Sequence, residues 1–148
     1  MKYTEKISNK LNELLEKNYD AEKGYLNSAE NVDSTTLKIF FKRRASERSQ
    51  FAKDLRTEIL SYGQIPEDNG SFKGTMHRNW MSLKSLFSSN DEEAILEEAI
   101  RGEKASFNEY EEILKEDSFA PSTRNMLEQQ KQKIQAAINT LMVEEELS

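Results

Sequence analysis

Apolar residues recur at intervals of three and four along most of this chain, the spacing of one face of an α-helix. Four long stretches show it. The first runs from about Thr4 to Asn31 and stacks Ile7, Leu11, Leu14, Leu15, Tyr25, Ala29 and Val32 on one stripe. The second, from about Ser34 to Tyr62, aligns Leu37, Phe40, Phe41, Phe51, Leu55, Ile59 and Tyr62. The third, from about Asp91 to Glu116, aligns Ile95, Leu96, Ala99, Phe107, Tyr110, Ile113 and Leu114. The fourth, from about Pro121 to Glu145, aligns Met126, Leu127, Ile134, Ala137, Ile138 and Leu141.

End signals agree with these limits. Asp33 and Ser34 are N-cap residues by type, and Gly63 is a C-terminal stop. Asn90 with Glu93 three residues on has the form of a capping box. Pro121 suits a first helical turn. The segment 64–89 breaks the pattern with Pro66, Gly70 and Gly74, then predicts one short helix over about Thr75–Phe87.

Connection lengths suggest the topology. The joints between helices one and two, and between three and four, are short, which makes each pair an antiparallel hairpin. The middle connection is long. A helix of about 28 residues measures roughly 42 Å, and an extended chain gains up to ~3.3 Å per residue. A segment of this size can therefore cross the length of the bundle and let helix three run parallel to helix two. The expected architecture is an all-α, ferritin-like four-helix bundle with a long crossover, occupying residues 1–148 as a single domain. An up-down-up-down bundle with a decorated loop is the alternative.

Polar residues interrupt every apolar stripe near mid-length. They are Asn18 and Glu22 in the first helix, Arg44 and Arg48 in the second, Glu103 in the third and Gln130 in the fourth. In the crossover topology these residues fall at similar heights. An unpaired buried carboxylate costs several kcal/mol, whereas two Glu and two Arg cancel in charge. The planar guanidinium also matches a carboxylate in bidentate geometry. The sequence thus predicts a buried network of Glu22, Arg44, Arg48 and Glu103, with Asn18 and Gln130 completing its hydrogen bonds.

Composition narrows the chemistry. The chain has 148 residues, no cysteine and one histidine, which excludes disulfide scaffolds, thiolate metal sites and cysteine nucleophiles. No apolar run reaches the ~18–20 residues that cross a bilayer, and the N-terminus lacks a signal-peptide core. The expectation is a cytoplasmic protein. The net charge is −6, with 9 basic against 17 acidic residues in 64–148. Such a surface fits neither nucleic acid nor an anionic membrane, so the expected partner is another protein or a second copy of this chain.

Four runs carry a family resemblance: DAEKGYLNSAE, FFKRRASERSQFAKDL, GSFKGTMHRNWMSLKS and ILEEAIRGEKASFNEYEEIL. Together they resemble a family of small bacterial ferritin-like bundle proteins of unknown function. The resemblance covers most of residues 11–115 and is weak in the last helix. Its most specific part is the crossover motif around His77, Arg78 and Trp80. It implies a ferritin-like fold, and no activity, substrate or cofactor.

Ferritin-like di-iron centres take a Glu from each of two helices and Glu-x-x-His from each of the others. This chain has Glu47-x-x-Gln50 and Glu128-x-x-Lys131 instead, and its one histidine lies in the crossover. Arg44 and Arg48 stand where the metal charge would be. The reading is therefore a non-catalytic bundle with no cofactor and a Glu/Arg network in place of a di-iron site, acting through association. Two alternatives stand beside it. One is an iron-dependent oxidoreductase or iron-handling protein, with Glu22 and Glu103 as fallback metal ligands. The other is a bundle that binds a small ligand near His77 and Trp80. Tyr19, Tyr25 and Tyr110 are expected as core or rim packing.

Overall fold

Capping chemistry sets the helix ends. The computed structural model describes residues 2–67 and 92–147, and these form four helices. They are α1 (Lys2–Asn31), α2 (Thr35–Ser61), α3 (Glu92–Ile113) and α4 (Pro121–Leu147). The short helix predicted over 75–87, the Asn90 cap, and His77, Arg78 and Trp80 all lie outside the described residues.

Ser34 is extended (φ −65°, ψ 124°), and its hydroxyl accepts from the Leu37 backbone N–H at 3.2 Å. The Glu92 carboxylate adds to this from another helix. Its Oε2 accepts from the backbone N–H of Asp33 at 2.8 Å and of Ser34 at 3.2 Å. A negative charge is thereby placed at the positive end of the α2 dipole. At the other end Gly63 has φ 77°. Gly63 N–H donates to Leu60 O at 2.9 Å, and Gln64 N–H donates to Ile59 O at 3.3 Å. This pair of bonds is a Schellman motif, and its left-handed residue explains the glycine.

Helix α3 stops three residues earlier than the sequence pattern suggests. Arg124 of α4 accounts for the difference, since its guanidinium donates to the Leu114 carbonyl at 2.9 Å and to the Glu116 carbonyl. Carbonyls left open where α3 ends are thus satisfied by a cation, as the dipole favours.

Cross-helix contacts give the directions. Moving along α1, Lys6 pairs with Glu116, Lys17 with Glu109, and Tyr25 with Glu103, so α1 and α3 are antiparallel. Asn18 meets Arg48 and Ala29 meets Lys38, so α1 and α2 are antiparallel as well. Tyr62 meets Thr123, and Gln130 meets Phe51, which sets α4 antiparallel to α2. Helices α2 and α3 therefore run parallel. The connection between them leaves one end of the bundle beside Thr123, and α3 begins at the other end beside Asp33. Its first residues already turn back along α1, where the Glu67 N–H donates to Asn12 Oδ1 at 2.9 Å.

The core has two apolar clusters. One contains Leu11, Leu15, Phe51, Leu55, Ile113 and Leu127. The other contains Ala29, Val32, Phe41, Leu96, Ala99 and Leu141. Phe40, Tyr62, Phe107, Leu114 and Met126 are half-buried and flank these clusters instead of filling them. Along α2 and α3 the boundary between clusters falls at Arg48 and Glu103, and along α1 it falls between Tyr19 and Ala21, within a turn of Asn18. No helix among the described residues is long and apolar enough to cross a membrane.

Candidate functional site

The boundary layer is built from one or two residues of each helix. Arg48 of α2 is 1% exposed and is the largest fully buried side chain among the described residues. Its Nη2 donates to Glu103 Oε1 of α3 at 2.5 Å, and its Nη1 donates to Asn18 Oδ1 of α1 at 2.8 Å. The second carboxylate oxygen of Glu103 accepts from the Tyr25 hydroxyl. Asn18 Nδ2 donates to the Leu14 carbonyl at 2.8 Å and to the Tyr110 hydroxyl at 3.0 Å. The Tyr110 hydroxyl in turn donates to Gln130 Oε1 of α4 at 2.6 Å. Gln130 Nε2 reaches the Phe51 carbonyl of α2 at 3.4 Å. One chain of hydrogen bonds thus links all four helices.

The electrostatics are closed. Burial opposes the charged guanidinium of Arg48, but Glu103, Tyr25 and Tyr110 around it hold its pKa above the ordinary arginine value. Burial, reinforced by the Glu103 charge, pushes the Tyr25 phenol well above its usual range. Burial also raises Tyr110, with Arg48 and Asn18 opposing. Both phenols are neutral donors at neutral pH, and the one positive charge meets the one negative charge. None of the six side chains leaves a buried polar atom without a partner. The layer contains no spare acid or base.

Four of the residues singled out from sequence are brought together here: Asn18, Arg48, Glu103 and Gln130. The structure sets Glu22 and Arg44 differently. Glu22 is half-buried and makes no hydrogen bond to the layer. Arg44 turns to Glu47 one turn along α2, at 2.7 Å, with about a fifth of its side chain exposed. Two residues that sequence reasoning assigned to packing, Tyr25 and Tyr110, are members of the layer. Each follows a polar layer residue by seven positions, Tyr25 after Asn18 and Tyr110 after Glu103. That two-turn spacing on one helix face was the available signal.

A di-iron centre does not fit these side chains. Glu103 is saturated by Arg48 and Tyr25. Glu47 is paired with Arg44, and Glu128 with Lys131 at 3.1 Å. Lys131 also sits 5.6 Å from the Phe107 ring centroid. Among the described residues no group of three or more His, Asp or Glu is placed to hold a metal ion. Glu22 and Glu103, the fallback ligands, are not joined.

The fold and the layer define a class: an all-α four-helix protein whose central level is a neutral, hydrogen-bonded Arg–Glu–Tyr network. Residues 6–116 match the family described as Domain of unknown function (DUF2383), and the chain belongs to that family. No curated protein matches it significantly.

Proposed function

We propose that this protein is a non-catalytic, ferritin-like bundle of the bacterial cytoplasm that acts by associating with itself or with another protein. The observation that carries this reading is Arg48. Its guanidinium lies in the bundle core, where ferritin-like enzymes build their metal sites, and it is paired with Glu103 at 2.5 Å. A fixed cation supplies the positive charge that the carboxylate needs, and it brings no open coordination position. The layer therefore fixes helix register, the best-attested use of buried polar groups. Exposed apolar side chains support the association half. Ile65 is 87% exposed and Leu60 59%, at the end of α2, with Val143 at 52% on α4.

The test has two arms. Light scattering behind size-exclusion chromatography is expected to show a mass above the 17.2 kDa monomer that rises with concentration, or co-elution with a protein partner. A concentration-independent monomer removes self-association. Aerobic incubation with ferrous iron, desalting and mass-spectrometric metal analysis is expected to give near-zero iron. One or two irons per chain would overturn the reading in favour of an iron-dependent oxidoreductase or iron-handling protein.

A further inference from the structure

Helices α2 and α4 part to leave a groove of about 500 Å³ beside the buried layer. Arg43, Arg44 and Lys133 bring positive charge to it, Phe51 and Met126 give it apolar surface, and Gln130 of the layer also lines it. This is a local reversal of sign in a chain of net charge −6. Two carboxylates share the groove, but both are engaged on α2 itself: Glu47 with Arg44, and Asp54 with Gln50 at 3.0 Å.

Arg44 is incompletely satisfied. Nη1 donates to Glu47 at 2.7 Å, while Nε is buried and has no acceptor. Nη2 has no hydrogen bond among the described residues. The Phe40 ring, with its centroid 5.7 Å from Cζ, packs against the guanidinium. A buried N–H without a partner costs about 1–3 kcal/mol, so native structures seldom retain one without use. Nε and Nη2 together form one edge of the guanidinium fork. That edge is spaced for two oxygens of a single carboxylate or phosphate.

We propose that the α2–α4 groove binds a small oxyanion-bearing molecule, toward which the half-buried Arg44 side chain turns its unpartnered Nε and Nη2 edge to grip a carboxylate or phosphate. Arg43 and Lys133 add charge, and the remainder of the ligand lies against Phe51 and Met126. The site is independent of whether the protein self-associates.

Glu47 makes the site pH-dependent. Burial pushes its carboxyl up, Arg44 pulls it down, Glu103 of α3 pushes it up, and Arg48 and Lys133 of α4 pull it down. An arriving anion repels the ionised form. Protonating Glu47 removes that repulsion and releases Nη1 of Arg44, so binding tightens as pH falls.

The experiment follows the arginine Nε–H resonances of the full chain by NMR while inorganic phosphate, benzoate or, as a control, chloride is added. Phosphate or benzoate is expected to shift the Arg44 signal and saturate it in the millimolar range, on the order of 4 kcal/mol; chloride is not. Saturation by phosphate alone points to phosphorylated ligands, and by benzoate alone to carboxylates. Arg44→Gln is expected to weaken binding about tenfold or more, and Arg44→Lys, which keeps the charge without the fork, nearly as much. Glu47→Gln is expected to tighten benzoate binding and to flatten its dependence on pH. Failure of both anions to titrate, or binding by a folded Arg44→Gln variant equal to that of the parent, overturns the proposal.

Discussion

Arg48 and Glu103 meet at 2.5 Å with both residues 1% exposed, and each has further partners that bind it to a different helix. Asn18 holds the guanidinium from α1, and Tyr25 of α1 holds the far carboxylate oxygen. The pair is therefore a junction of three helices. Removing either member leaves a buried charge with no counter-charge.

Arg48→Met is accordingly expected to lower stability by about 3–5 kcal/mol, read from urea unfolding. Arg48→Met with Glu103→Leu is expected to recover most of that loss, because a buried pair replaced by apolar residues is often neutral or better. A change under about 0.5 kcal/mol in the single variant would show that the junction is not buried.

The tyrosines separate the two halves of the layer. Tyr110→Phe takes a donor from Gln130 and an acceptor from Asn18, both buried. The expected cost is about 1–3 kcal/mol. Tyr25→Phe takes one donor from an ionised carboxylate, worth roughly 1.5–3 kcal/mol. Phe has the same ring, so cavity formation contributes little. Two variants with parental stability in thermal and urea unfolding would show that the hydroxyls are idle.

These tyrosines also mark how far the sequence could be read. Asn18, Arg48, Glu103 and Gln130 were visible because polar residues stand out in an apolar stripe. A tyrosine in the same stripe reads as a ring to be buried, and only the partner of its hydroxyl reveals a second role. Glu22 and Arg44 were misleading for a geometric reason. Each lies four residues, or about 40° around the helix, from the layer residue of its own helix. That offset lets a long side chain reach another partner, and Arg44 takes Glu47. The four helices and the parallel direction of α2 and α3 were legible because cap residues and connection lengths are local features. The early stop of α3 was not, since it depends on Arg124 arriving from α4.

Gly63 offers a test of the helix ends that is independent of the layer. Its φ of 77° lies in the left-handed region, and nothing stands within 4 Å of where a Cβ would project. Gly63→Ala therefore costs backbone strain alone, on the order of 1 kcal/mol. A loss above about 3 kcal/mol would mean that the turn also controls how the chain continues beyond Gln64.

Asp20 sets the expected pH dependence. It lies on α1 and is 2% exposed, and its Oδ1 has no hydrogen-bond partner. Burial is the largest influence on it, and Glu16 of α1 and Glu109 of α3 reinforce the effect. Lys17 and Lys23 oppose, and the pKa is raised from 3.8 to about 7. The sign follows from linkage: a carboxyl that holds its proton more tightly when folded makes the native state bind more protons than the unfolded one. Stability then falls as pH rises between about 4 and 7. The protein is expected to be more stable at pH 5 than at pH 8, by roughly 1–3 kcal/mol. Asp20→Asn keeps the shape, removes the titration and is expected to flatten the profile by raising stability at pH 8. Urea unfolding of the parent and this variant at pH 5, 6, 7 and 8 decides it. A parental profile that rises with pH, or an Asp20→Asn profile as steep as the parent's, would place the titrating group elsewhere.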